Sequence, residues 1–245
     1  MTQYPAKEKY DAEDLAAIIS LLRDPVSGCP WDKVQTHTSI RQNFLEETYE
    51  VLEAIDREDA TLLCEELGDV LMQVALHSRM EEEKGGFSFS DVCDGVCRKL
   101  IFRHPHIFSG AAAQSDGLND WDALKNREKG RQSLADELDS VPVTLPALMK
   151  AQKTQKRAEP YGTVTADSAE AYQALKTAEN TLKAALAASK ASSAPGAPAQ
   201  NPPAEAQAGA YLFAAANWLR TEGLDAEEAL EQETKRFHAA HGGEL

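Results

Sequence analysis

The chain has 245 residues, with 40 Asp and Glu against 25 Lys and Arg, a formal net charge of -15 and a pI near 4.8. That length has room for one large or two modest hydrophobic cores. The acidic balance excludes a protein that grips nucleic acid or an anionic membrane through its general surface. A small phosphate-bearing ligand remains compatible, because a bound cation can reverse the local charge.

The opening MTQYPAKEKYDAED is polar and lacks an apolar h-region, so no signal peptide is expected. No apolar run reaches the ~18 residues of a membrane span, and a cytoplasmic protein is expected. Cys29, Cys64, Cys93 and Cys97 form no CxxC pair. They read as small, buried, reduced thiols.

Almost every periodic segment carries helical spacing and no run alternates at period two, which predicts an all-α fold. In chain order the predicted helices are 11–23, 39–57, 59–84, 90–101, 121–131, 145–158, 167–190, 205–222 and 225–240. Ser39 and Ser90 are the expected N-caps of the second and fourth, and Gly85 and Gly86 the stop after the third. SGCPWD at 27–32 is a turn-rich connection carrying Trp31, and FRHPHIFSG ends a helix at Pro105. A softer break in QSLADELDSVPVT predicts a first domain over 1–135 and a second over 136–245. Within the latter, four prolines and little aliphatic bulk mark about 190–204 as a mobile linker.

LEETYEVLEA, at 45–54, raises a chemical question. At 100° per residue, Leu45, Thr48, Tyr49, Leu52 and Ile55 fall on one side, with Glu46, Glu50 and Glu53 opposite and Glu47 at the edge of the acidic cluster. Alone, that pattern describes an amphipathic helix with a solvated acidic face. The next helix, around EELGDVLMQVALH at 65–77, is apolar nearly all round. Glu66 and Asp69 share a sector with Leu62, Gln73 and Leu76. A helix of that kind is expected to be buried, and buried carboxylates need either a basic partner or a bound cation. The short link around DREDA, at 56–60, predicts an antiparallel hairpin. Glu47 and Glu50 are three apart, as are Glu66 and Asp69, so each pair projects from one face. Facing across a hairpin, four carboxylates suit Mg²⁺ or Mn²⁺, which bridges to phosphate oxygens.

These residues resemble the MazG-type nucleoside triphosphate pyrophosphohydrolases. The resemblance rests on EExxE (Glu46, Glu47, Glu50) and ExxD (Glu66, Asp69), and on LLRDPVSGCPWDKVQTHTS, RHPHIF and LPALMKAQKTQKRA in the same order, over roughly residues 12–160. It implies an all-α helical-bundle unit that is Mg²⁺-dependent and usually dimeric. Such a unit cleaves NTPs or dNTPs to the monophosphate and pyrophosphate with a metal-activated water. By position, Glu47, Glu50, Glu66 and Asp69 would be metal ligands, and Glu46 would position or deprotonate water. Lys99 and Arg103 would contact phosphates, while Trp121 and Lys125 in DWDALK would close over the nucleotide, with Trp31 a further substrate contact. Without the resemblance, the tryptophans read as core or staple residues ahead of substrate contacts, Lys99 and Arg103 equally as a solvated face, and His104 and His106 as braces of a helix end. His37 and His77 carry little signal of their own.

EAQAGAYLFAAANWLRTEGL, at 205–224, resembles the second acidic helix in frame at Gly209 and Gly68. There Gln207 and Ala210 stand for Glu66 and Asp69, and Gln173, Ala174 and Thr177 fall where a second EExxE would be. The second unit therefore reads as a degenerate structural copy that keeps apolar spacing at Leu212, Phe213, Trp218, Leu219 and Leu230. Two alternatives stand beside the enzyme: a non-catalytic nucleotide-binding regulator or scaffold, and a narrower pyrophosphohydrolase for dUTP, dCTP or phosphoribosyl-ATP.

Overall fold

The structure, a computed structural model, describes residues 4–108, 129–130, 133–191 and 202–242. The described residues form ten α-helices and two single 3-10 turns, with no strand among them, as the periodicity predicts. No described helix is long and apolar enough to cross a membrane. The chain divides into two compact units, Met1–Trp121 and Asp122–Leu245. Most of the helix expected at 121–131 and of the linker expected at 190–204 lies outside the described residues.

In the first unit, α1 (Ala12–Leu22) starts at a capping box in which Asp11 accepts the Asp14 N–H and Asp14 reaches back to the Asp11 N–H. Buried Asp14 also accepts from Lys7 at 2.5 Å and from the Tyr4 hydroxyl at 2.6 Å. These two hydrogen bonds hold its carboxyl down to about 2. Next come α2 (Arg41–Asp56), α3 (Ala60–Glu82), α4 (Phe89–Arg103) and the short α5 (Pro105–Phe108). Asp59 caps α3 by accepting from Thr61 and Leu62. Beyond α3, Gly85 takes φ 76°, and the Gly86 N–H reaches back to Glu81.

Two expected caps move. Ser39 does not cap α2: its hydroxyl accepts from the Thr36 N–H and donates to Gln35, and Ile40 takes the cap position without a side-chain bond. Ser90 lies inside α4, because Ser88 has Asp91 three residues on and so completes the reciprocal box that Ser90 cannot. His104 accepts the expected bracing role, with Nδ1 2.7 Å from the Leu100 carbonyl.

The core of the unit joins Ile19 of α1, Ile40, and Ala75, Leu76 and Met80 of α3, with Leu15, Met72 and Phe89 packed against it. It therefore grips the second half of α3. The first half differs from expectation, because Leu67 and Leu71 are 51% and 41% exposed. α2 is likewise turned around: Leu45, Tyr49, Leu52 and Ile55 are all about half exposed, whereas Ala54 is fully buried and Glu47 and Val51 partly so. The small Ala54 lets the two helices approach, and the acidic edge of α2 faces α3 in place of the bulky apolar side. The cysteines also depart from the buried reading: all four are free, and Cys64, Cys93 and Cys97 are exposed.

The connection from α1 to α2 is tied to the far end of α3 at two points. Arg23, buried, donates Nε and Nη2 to Glu83 at 3.0 and 2.8 Å and Nη1 to the carbonyls of Asp32 and Gln35 at 2.6 and 3.2 Å. A bidentate guanidinium–carboxylate pair of this kind is directional as well as strong. Further on, His37 Nε2 lies 2.6 Å from Glu81 and His37 Nδ1 lies 2.6 Å from His77 Nδ1. Lys84 and then His37 hold the Glu81 carboxyl below its ordinary range, so Glu81 accepts and His37 Nε2 donates. Between the two Nδ1 atoms one ring donates and the other accepts, a contact that doubly protonated rings cannot make. Burial, and then His37, pushes the His77 pKa down, in keeping with a neutral ring there.

The second unit contains α6 (Leu134–Asp139), α7 (Ala147–Ala158), α8 (Ser168–Ala191), α9 (Pro202–Thr221) and α10 (Ala226–Ala240). α3 packs on α1, α2 and α4, and α9 packs on α7, α8 and α10. A 3-10 turn follows α1 at Asp32–Val34 and another follows α7 at Glu159–Tyr161, with α4 and α10 each 15 residues long. Polar side chains stitch this unit together. Buried Gln152 donates to the Ala216 and Leu224 carbonyls, each at 3.0 Å, and accepts from the Ala226 N–H. Glu227 accepts from the Leu148 and Met149 N–H groups at the start of α7. Buried Arg157 pairs with buried Glu137 at 3.0 Å.

The GCPWD turn explains its glycine. A Cβ at Gly28 would stand 2.4 Å from the Asp24 carbonyl oxygen and 2.5 Å from that of Leu22, both backbone atoms. Gly28→Ala is expected to cost at least ~2 kcal/mol, a backbone-clash effect, read as a lowered midpoint in urea denaturation. A midpoint equal to the parent's would contradict this account of the turn.

Candidate metal centre

α2 and α3 bring carboxylates together across the hairpin. One oxygen each from Glu47, Glu66 and Asp69 lies within 4.8 Å of the others, and all three residues are half-buried. Among the described residues this is the one group of its kind. Glu50, exposed one turn along α2, stands outside this group of three, and its negative charge acts on both Glu47 and Glu66. Burial raises the Glu47 pKa most, followed by the charge of Asp69 and the nearby Glu50 carboxylate. Burial also leads for Glu66, followed by the charges of Glu50 and Asp69. Neither residue has a cation among these causes. Carboxylates sharing a site in this way favour a bound proton or a bound metal.

The other sequence-predicted residues are distributed as follows. Glu46 is exposed on α2, and Glu53, exposed too, pairs with Arg57 on the surface. Lys99 is half-buried and Arg103 buried on α4, the helix that packs beside α3. Trp31 is 55% exposed in the α1–α2 connection. Trp121 and Lys125 lie outside the described residues. Sequence reasoning overlooked two features, both signalled by a spacing of four along α3: Asp69, Gln73, His77 and Glu81. Gln73 is 4% exposed, and its side-chain oxygen is buried without a hydrogen-bond partner. His77 meets His37 and, edge-on at 5.8 Å between ring centroids, Phe44 of α2.

Comparison with known proteins bears on this hairpin directly. Residues 35–108 match the MazG nucleotide pyrophosphohydrolase domain, a stretch that contains all five predicted carboxylates together with Gln73, Lys99 and Arg103. The chain is 33% identical over 225 residues to a nucleoside triphosphate pyrophosphohydrolase/pyrophosphatase MazG of Thermotoga maritima, covering 92% of this chain and 82% of the relative. It is 48% identical over 145 residues to a nucleoside triphosphate pyrophosphohydrolase of Escherichia coli, covering 58% of this chain and 55% of the relative. A Mycobacterium tuberculosis protein of the same description is 38% identical over 160 residues, covering 64% and 48%. The match thus spans about half the length of the latter two relatives.

The carboxylate geometry sets a pH dependence. Glu47 and Glu66 have pKa values raised above the ordinary 4.5, so above pH 4.5 the folded state binds more protons than the unfolded one. Their contribution to stability is complete below 4.5 and is lost as pH rises through the raised values. His77 runs the opposite way: its pKa is lowered from 6.5, so its contribution is complete above 6.5 and is lost as pH falls. The cation-induced change isolates the acidic cluster from this opposing trend. Mg²⁺ is expected to raise the melting temperature of metal-stripped protein more at pH 7 than at pH 5, because protons compete for the same oxygens. An equal rise at both values would contradict the assignment.

Proposed function

Because the chain belongs to the MazG family of nucleotide pyrophosphohydrolases, we propose that it hydrolyses nucleoside triphosphates, NTP or dNTP, to the monophosphate and pyrophosphate from its first helical unit. The observation that carries this reading is the convergence of Glu47, Glu66 and Asp69 within 4.8 Å. The donor set fits a hard divalent cation. Three convergent carboxylate oxygens from Glu47, Glu66 and Asp69 would hold such an ion. Mg²⁺ is the expected ion and Mn²⁺ a substitute, since all-oxygen ligands favour both. When bound, the ion supplies a positive charge that offsets the phosphates and polarises their oxygens.

In this reading Glu47, Glu50, Glu66 and Asp69 hold the ion. Glu46 lies beside them on α2 with a solvent-facing carboxylate, and accepts the proton of the attacking water. As that water adds to phosphorus, the bridging bond between the α and β phosphates breaks and pyrophosphate leaves with the bond's electron pair. Lys99 and Arg103 hold distal phosphate oxygens as charge-assisted donors. Trp31, Trp121 and Lys125 enclose the nucleoside side of the substrate. The protein would act on free nucleotides in the cytoplasm.

We infer that the second unit is a faded copy of the first. The shared order of helix, 3-10 turn and three further helices supports this, and so does the equivalent packing around α3 and α9. Gln207 and Ala210, together with Gln173, Ala174 and Thr177, offer no carboxylate where the first unit has five. The copy has kept the framework and lost the ligands.

We also infer a homodimer. Leu45, Tyr49, Leu52 and Ile55 of α2, with Leu67 and Leu71 of α3, form an apolar face about half exposed in one chain. Covering each Leu or Ile would contribute roughly 1–3 kcal/mol, and a second copy offers the same face in return. Light scattering on the parent protein is expected to give twice the chain mass, and Leu52→Glu about one chain mass. A monomeric parent would overturn the inference.

Activity is tested by a panel of all NTPs and dNTPs in which pyrophosphate and orthophosphate are measured separately. Pyrophosphate release is expected, with Glu47→Gln and Asp69→Asn each lowering turnover at least ~100-fold while helicity is retained. Binding of nucleotide and Mg²⁺ without turnover on any member of the panel would instead favour a regulator. Turnover confined to one nucleotide would favour the narrower enzyme.

A further inference from the structure

The end of α3 opposite the carboxylates carries a second titratable cluster, which the candidate metal centre does not use. His37 Nδ1 lies 2.6 Å from His77 Nδ1, with ring centroids 5.0 Å apart and an interplanar angle of 5°. The two nitrogens therefore point at each other along the line between the rings, and one proton fits between them. His37 Nε2 donates to Glu81 at 2.6 Å, which leaves Nδ1 of a neutral His37 as acceptor and Nδ1–H of His77 as donor. One added proton, taken up at His77 Nε2 as the Nδ1 proton crosses to His37, preserves the contact and sets the charge beside the Glu81 carboxylate. A second proton puts an N–H on both Nδ1 atoms. Two donors then face each other, and the contact cannot persist.

The groups around the pair favour that order. Glu81 also accepts from Lys84 at 2.9 Å, and Lys84 and then His37 hold its carboxyl below the ordinary range, so it stays ionised while the rings titrate. Arg23, Arg79, Glu82 and Glu83 pair among themselves at the same end of α3, and α2 presents the Phe44 ring edge-on to His77. Burial, and next the charge of His37, pushes the His77 pKa down, in line with His37 charging first. Among the described residues, the backbone of 36–39 bonds only within the connection and the first turn of α2. The His37 ring is thus its hydrogen-bonded tie to α3. Thr36, Thr38 and Ser39 beside it are exposed. Arg23, donating to the carbonyls of Asp32 and Gln35, holds the preceding stretch with a group that never loses its charge.

We propose that His37 and His77 form a two-proton switch: the pair clips residues 36–39 onto α3 while it is neutral or singly protonated, and frees them when both rings are charged. The hairpin that carries the acids then loses one of the two polar ties at its anchored end, while the Arg23 tie holds. The switch is independent of the cation site and of the reaction.

The test is a histidine-ring NMR titration of the full chain in EDTA from about pH 8 to about pH 4, which spans the charging of imidazole. It is joined to amide hydrogen exchange corrected for its intrinsic pH dependence. The parent is expected to show two coupled steps shared by His37 and His77, more than ~1 pH unit apart. Protection of the Ile40 and Arg41 amides is expected to hold through the first step and to fall at least ~5-fold at the second, about the worth of one net hydrogen bond. His77→Phe and His37→Phe each leave one ring, expected to titrate in a single step with the amides at the lower protection throughout. Independent single steps of the two rings in the parent overturn the proposal, and so does a second step absent down to about pH 4. Protection that falls with the first proton, or that ignores both steps, overturns it as well. The parent's titration and exchange decide between these outcomes by themselves, should either variant fail to fold.

Discussion

Mutual repulsion among carboxylates on a two-helix hairpin is the constraint around which the first unit is organised. Glu47, Glu66 and Asp69 are held within 4.8 Å of one another with no cation among the causes that shift Glu47 and Glu66. Left to local preferences, the two helices would turn these groups apart toward water. They are held together from the opposite end. The core around Ile40, Leu76 and Met80 anchors the start of α2 against the second half of α3, and Phe44 meets His77 between that core and the acids. Arg23 and His37 add two polar ties to the last turns of α3. Packing and hydrogen bonds at one end of the hairpin thus offset an electrostatic cost at the other.

Similar logic accounts for the orientation of α2. A conventional amphipathic helix buries its apolar side and solvates its charges. Here the half-buried Glu47 and fully buried Ala54 face α3, while Leu45, Tyr49, Leu52 and Ile55 face outward. The arrangement is reasonable only if two surfaces compete for the helix: the carboxylates must face their counterparts on α3, and the apolar side must find another cover. A helix asked to build a charged site and an apolar contact surface presents a different face to each.

Much of this was legible in the sequence. Helical periodicity predicted every described long helix to within a few residues, and of the four acids singled out by spacings of three, Glu47, Glu66 and Asp69 converge while Glu50 lies outside their group. Sidedness was not legible. Periodicity identifies two faces of α2 without stating which of them faces the chain's own interior, and it made α3 uniformly buried where Leu67 and Leu71 are exposed. The tie between His37 and His77 was out of reach for another reason: the residues are 40 apart, and neither has a local pattern that announces a partner. Gln73 was closer to view. Its helical sector was shared with Glu66 and Asp69 from the start, but an uncharged residue in an apolar run draws no attention until its burial is known.

α3 answers to two different solvents along its length. Its second half, with Ala75, Leu76, Ser78 and Met80 buried, is governed by exclusion of apolar surface from water, which temperature and denaturant modulate. Its first half is governed by charges near the surface, which dissolved ions modulate. At physiological ionic strength the screening length is about 8 Å, larger than the spacing within the acidic cluster. Ordinary salt therefore softens the repulsion of the cluster with its surroundings but barely reaches the repulsion inside it. Relief of that inner term is reserved for a charge small enough to enter among the oxygens.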